Sequence, residues 1–140
     1  MKQALDTSLL VYAHMPGLRD HERVCRYPHE RLGDTRDVLV VTAMVLHEFV
    51  HVVTDARRFD PPVAMSEALA VARGYLDRTI VECLAVGEDE MRLAIDLLNR
   101  LRLGRKRIAD TLFVATLLHH CVPEVATCNP TDFEGSTACG

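Results

Sequence analysis

Apolar positions fall in short blocks along this chain, cut by proline, glycine and charge, with strand-like and helix-like spacing in turn. Residues 2–5 read as a first strand, and 7–14 as a helix stopped by Met15-Pro16-Gly17. Residues 19–32 are polar, charged and helix-compatible, and Gly33-Asp34 breaks them. The unbroken aliphatic run at 38–41 reads as a buried strand. Thr42 then stands where an N-cap belongs, ahead of a helix predicted over 43–57. After Pro61-Pro62, Ser66 is a candidate cap for a helix with Ala68, Leu69, Val71, Ala72, Tyr75 and Leu76 on its apolar face. A strand follows at 79–84. Gly87 then precedes a helix with Met91, Ala94, Ile95, Leu98 and Leu101 at helical spacing, ended by Gly104. A strongly apolar helix over 108–121 and a short strand over 124–128 complete the pattern. Strands alternating with helices predict an α/β fold with a mostly parallel central sheet.

Composition narrows this picture. One domain spanning residues 1–140 is the expectation at this length, and 49% hydrophobic residues suffice for its core. Mean hydropathy is +0.06, and no apolar run reaches the roughly 18 residues that span a bilayer. The N-terminus does not read as a signal peptide. Five cysteines without a C-x-x-C pair argue against a disulfide framework or a cysteine zinc site, and point to a reducing cytoplasm. The net charge of −4 exerts no global pull on nucleic acid. Arg100, Arg102, Arg105, Lys106 and Arg107 nevertheless cluster before Asp110. They read either as a solvated face or as a phosphate-contacting rim.

Four acids sit among residues where acids are costly. Asp6 precedes Leu9-Leu10-Val11, Glu48 lies inside an apolar helix, Asp110 opens Leu112-Phe113-Val114-Ala115, and Asp132 closes a polar stretch. A buried carboxylate costs several kcal/mol unless it is paired, protonated or bound to a cation. Oxygen ligands alone favour Mg²⁺ or Mn²⁺. Each acid also has a structural reading: Asp6 as a helix N-cap, Asp110 as a partner of a helix dipole, Asp132 as a turn residue. Glu48 lacks a Lys or Arg at i±3 or i±4.

The flanks of these acids carry a resemblance. Leu5-Asp6-Thr7-Ser8-Leu9-Leu10-Val11-Tyr12-Ala13, Val45-Leu46-His47-Glu48-Phe49, the segment from Arg107 to Thr116 around Asp110, and Thr127-Cys128-Asn129-Pro130-Thr131-Asp132-Phe133 occur in that order. Together they resemble the PIN-domain family and, within it, VapC-type toxins of toxin–antitoxin pairs. The resemblance implies a three-layer α/β/α sandwich and a metal-dependent endoribonuclease acting on RNA, more readily single-stranded RNA. It also implies a homodimer and a small antitoxin partner. By motif match, Asp6, Glu48, Asp110 and Asp132 form the catalytic, metal-binding quartet with Mg²⁺ or Mn²⁺, Asp6 and Asp110 being the foremost direct ligands. Thr7 and Asn129 would orient the acids or a water. Arg105, Lys106 and Arg107 are RNA-contact candidates. One departure is the stretch 134–140, which offers little material for a last strand.

Two other readings compete. His47-Glu48-Phe49-Val50-His51 is an H-E-x-x-H pattern, whose histidines share a helix face and suit the zinc of a metalloprotease. Glu67 and Glu82 are its candidate third ligands. That reading leaves Asp6, Asp110 and Asp132 unexplained. The other is a non-catalytic binding or dimerisation module in which the acids are vestigial or structural.

Overall fold

The computed structural model describes residues 2–15 and 38–127. The helix expected at 19–32, the segment holding Asn129 and Asp132, and the tail at 134–140 lie outside the described residues. The chain order is β1 (Lys2–Leu5), α1 (Thr7–His14), β2 (Val38–Thr42), α2 (Ala43–Val53), α3 (Met65–Asp77), β3 (Val81–Leu84), α4 (Glu88–Arg100), a 3-10 turn (Arg105–Arg107), α5 (Ile108–His119) and β4 (Glu124–Ala126). The four strands form one parallel sheet in the order β3-β2-β1-β4. Successive strands step one way from β1 to β3, and the last crossover returns to the far edge. Right-handed crossovers therefore place α1–α3 on one face and α4–α5 on the other. This is the three-layer α/β/α sandwich.

Both central strands are covered on two faces, so they read as unbroken apolar runs rather than alternating ones. Ala4, Leu5, Leu39, Val40 and Val41 are fully buried. Leu10, Phe49 and Val53 cover them from one side, and Phe113, Leu117 and Val122 complete the core. Thr42 caps α2 as its position predicts: its Oγ1 accepts from the Val45 N–H at 3.1 Å.

Several boundaries depart from expectation. α2 stops at Val53 rather than near position 57: the Thr54 N–H still bonds the Val50 carbonyl at 3.3 Å, but the Asp55 N–H turns to the Val52 carbonyl at 3.2 Å, a tighter i→i−3 bond that closes the last turn. Ser66 is not a cap: α3 begins at Met65, and its N-cap Ala64 offers no side-chain bond. On α3 only Ala68 and Tyr75 of the expected apolar face are buried, with Leu69 and Leu76 about half exposed. On α4 only Ala94 is, with Met91, Ile95 and Leu101 exposed. Helical spacing shows which residues share a face, not whether a neighbour covers it.

Candidate active site

The strand register assembles the site. Leu5 on β1 pairs with Ala126 on β4. The next residue of each chain segment, Asp6 and Thr127, therefore emerges side by side beyond the carboxyl ends of the strands, where open parallel sheets place their ligands. The backbone tightens this junction through the Asp6 N–H, which donates to the Ala126 carbonyl at 3.0 Å.

Asp6 fills two roles at once. It is the N-cap of α1, with extended backbone and with Oδ1 accepting from the Thr7 N–H at 2.8 Å. Its other oxygen, Oδ2, accepts from the Thr127 hydroxyl at 2.7 Å and the Ser8 hydroxyl at 2.9 Å. These hydroxyls fix the carboxylate plane and occupy both lone-pair sites of Oδ2, while Oδ1, with one partner, keeps acceptor capacity for another. Sequence reasoning named Thr7 and missed Ser8 and Thr127. The signal available for Ser8 was its position two residues after an Asp that starts a helix. Thr127 becomes visible only once β1 and β4 are in register.

Thr7 serves Glu48. Its hydroxyl, on a buried residue, donates to Glu48 Oε2 at 3.1 Å and joins the start of α1 to the middle of α2. Asp110, in the first turn of α5, completes a small pocket lined by Asp6, Thr7, Met44, Val45, Glu48, Ala109, Asp110 and Phe113. Three of the four predicted acids thus share one pocket, and Asp132 and Asn129 lie outside the described residues.

The expected burial of these acids is corrected. Asp6 and Asp110 are half-buried and Glu48 is exposed. The buried stripe of α2 runs through Val45, Leu46, Phe49 and Val53, and Glu48 stands beside it at the pocket mouth. The three carboxylates do not all approach within 4.8 Å of one another. Such an open, all-oxygen set fits Mg²⁺ or Mn²⁺, which keep several of their own waters, better than an ion that must be fully enclosed.

The basic cluster lies against the pocket. Arg105, Lys106 and Arg107 form the exposed 3-10 turn that leads into α5, and Arg107 Nη1 lies 3.7 Å from Asp110 Oδ2. Arg57 and Arg58 instead pair with Asp55 at 3.3 and 3.8 Å. The Arg57 N–H is the main cause holding the Asp55 carboxyl below the usual carboxylate range.

The H-E-x-x-H pattern does not assemble a zinc site among the described residues. His47 and His51 are exposed on α2, and no third His, Cys, Asp or Glu closes on them. Both face a groove of about 400 Å³ between α2 and α3, lined otherwise by Thr54 and apolar side chains. Glu82 is paired with Lys2 at 2.9 Å, and Glu67 sits in the first turn of α3.

A parallel α/β/α sandwich whose acids gather beyond the carboxyl ends of its strands, with a basic turn alongside, has the layout of a phosphate-directed hydrolase. Comparison with known proteins makes this specific. The PIN domain family matches residues 4–134, and the chain belongs to that family. It is 30% identical over 111 residues to Ribonuclease VapC33 of Mycobacterium tuberculosis, covering 79% of this chain and 76% of that protein. Its fold is similar to that of Mycobacterium tuberculosis VapC20, a sarcin-ricin loop cleaving toxin, with a TM-score of 0.74 at 17% identity, covering 97% of this chain and 96% of the other. It is also similar to a chain of the VapBC2 complex from Rickettsia felis, solved bound to a DNA fragment from its promoter. There the TM-score is 0.65 at 15% identity, with 97% and 93% covered. Among the described residues no helix is long and apolar enough to cross a membrane.

If Thr7 positions Glu48, Thr7→Val removes the hydroxyl while keeping the side-chain shape. RNA cleavage is expected to fall about 10-fold, the usual scale for an outer-shell partner. Steady-state kinetics at saturating metal checks this, and unchanged kcat/KM rejects the positioning role.

Proposed function

We propose that the chain is a metal-dependent endoribonuclease that hydrolyses RNA phosphodiester bonds as a single nuclease domain, and that it is the toxin of a VapBC-type pair. The observation that carries this is the convergence of Asp6, Glu48 and Asp110 on one pocket of a PIN domain. In this reading Asp6 and Asp110 bind Mg²⁺ or Mn²⁺ directly, and Glu48 and Asp132 bind it directly or through water. A divalent ion bound there supplies a water of lowered pKa and offsets charge on the scissile phosphate.

The chain's own groups do the positioning. Ser8 and Thr127 hold Asp6 Oδ2 in place, and Thr7 restrains Glu48. Asn129, outside the described residues, is proposed to orient the acids or a water. Arg105, Lys106 and Arg107 offer the RNA backbone a positive rim beside the acids, a contact that is independent of sequence and sensitive to salt. Aromatic residues make up only 5% of the chain and tryptophan is absent, so the sequence offers little for recognition by base stacking.

The same reading gives the protein a cytoplasmic location, a homodimeric state and an antitoxin partner. Met65, Leu69 and Leu76 leave apolar surface exposed along α3, which supports a protein partner, since contiguous apolar patches mark interaction surfaces.

The test is cleavage of labelled single-stranded and structured RNAs with Mg²⁺, Mn²⁺ or Zn²⁺. Cleavage should depend on Mg²⁺ or Mn²⁺, fall at least about 100-fold in Asp110→Asn, and persist in His51→Ala. Metal-independent cleavage, or full activity in Asp110→Asn, overturns the assignment. Zinc binding that depends on His51 without any RNA cleavage would favour the protease chemistry instead.

A further inference from the structure

A second group of ligand-type side chains lies at the opposite end of α5 from the acid pocket. Asp110 is in the first turn of α5 and His119 closes it, a rise of about 14 Å along the helix axis. There His119 and His120 meet Glu90, the third residue of α4. Glu90 is 7% exposed. Its Oε2 accepts from the Gly87 N–H at 3.0 Å, which fixes the carboxylate. Its Oε1 points at His120 Nε2 at 2.9 Å and His119 Nε2 at 3.9 Å. One ligand atom from each of the three residues lies within 4.8 Å of the other two.

Successive side chains on an α-helix diverge by about 100°. His120 is the C-cap of α5, with φ −95° and ψ 7°, and its long side chain nevertheless reaches the His119 ring. The two rings meet edge to face, with centroids 5.1 Å apart and planes at 87°. Around a tetrahedral zinc ion with ligands at about 2.0–2.1 Å, neighbouring donor atoms sit about 3.3 Å apart. The observed separations of 2.9 and 3.9 Å lie on either side of that value. The carboxyl end of α5 also presents its helix dipole's negative pole, which favours a cation.

We propose that Glu90, His119 and His120 form a second metal site, a two-nitrogen, one-oxygen set that takes Zn²⁺ or a similar transition ion with water as fourth ligand. Imidazole donors select such ions over Mg²⁺, so this site and the acid pocket differ in metal preference. The bond from Gly87 to Glu90 serves as the outer shell that orients the carboxylate. The ion fastens the start of α4 to the end of α5, and so braces the helix that carries Asp110.

The test uses the full, untagged chain carrying Asp6→Asn and Asp110→Asn, so that the acid pocket does not compete for metal. Titration with Co²⁺ should give the visible absorption of a tetrahedral ion at one equivalent, displaced by Zn²⁺. Zn²⁺ should also raise the Tm. His119→Ala keeps the His120–Glu90 hydrogen bond, and Glu90→Gln keeps a residue suited to the capping box, so both variants should fold. Each should lose the absorption band and weaken Zn²⁺ binding at least about 100-fold. Absence of the band in the parent, or a band unchanged in both variants, overturns the site and leaves the cluster as a hydrogen-bonded clasp between the two helices.

Discussion

Asp6→Asn is expected to lower RNA cleavage by about 10³-fold, or about 4 kcal/mol of transition-state stabilisation, while thermal unfolding hardly moves. The two effects separate because the proposed function adds a second role to the cap that Asp6 forms. As the cap of α1 it needs only an oxygen that accepts from the Thr7 N–H, and Asn is as good an N-cap as Asp. The Ser8 and Thr127 hydroxyls can reorient toward an amide, since a hydroxyl both donates and accepts. In the proposed role as a metal ligand, however, the substitution removes a full negative charge from a set of acids that would share the ion with water. Single-turnover cleavage at saturating Mn²⁺ reads the catalytic loss, and calorimetry reads the metal affinity. Asp6→Ala is the companion variant: it should lose the same activity and about 1 kcal/mol of stability as well, because the cap goes with it. Cleavage within about 3-fold of the parent would leave Asp6 as a cap alone. A large fall in Tm for the Asn variant would instead attribute the lost activity to the fold.

The structural and chemical readings of Asp6 looked like alternatives in the sequence; the structure shows the cap, and the metal-binding role proposed above is compatible with it. A strand that ends against a helix start needs a cap there, and the carboxyl edge of a parallel sheet is also where a site forms. One residue can therefore answer both demands. β1, β2 and α2 were legible because strands buried on both faces carry continuous apolar runs and because Thr42 is a strong cap. Glu48 was misjudged as buried because it was read from its neighbours along the chain. Around the helix it lies next to the stripe of Val45, Leu46, Phe49 and Val53 rather than within it. The Thr127 hydroxyl carries no periodic signal, and its approach to Asp6 depends on a pairing between β1 and β4 that spans most of the chain, whereas Ser8 reaches Asp6 locally, two residues on. The Glu90 cluster was invisible for a related reason. Its members are 29 and 30 residues apart in sequence, and the packing of α4 against α5 that brings them together has no local sequence signature.

Phe49→Ala should be the most damaging core substitution near the site, costing about 4 kcal/mol of stability. Phe49 follows Glu48 on α2 and is 2% exposed. Its ring packs edge to face against His14 of α1, with centroids 5.6 Å apart. His14 in turn packs against the Tyr75 ring of α3 at 5.9 Å, and its Nε2 is 3.0 Å from the Tyr75 hydroxyl. Burial pushes the Tyr75 phenol up to about 12, so its proton stays in place through the neutral range. Removing the Phe49 ring opens a cavity where α1, α2 and α3 meet, and neither His14 nor Tyr75 can fill it without breaking their own contact. In a domain with a total stability of roughly 5–15 kcal/mol, this is a large share. Urea unfolding should show a lower midpoint at an unchanged m-value, and a cost below about 1 kcal/mol would disprove the packing argument. Phe49→Leu, which keeps much of the volume, should cost far less than Phe49→Ala. Because Glu48 is held in place by the same turn of α2, Phe49→Ala should also lose cleavage under conditions where most molecules remain folded. Phe49→Leu should retain it, and that contrast separates loosening of the site from global unfolding.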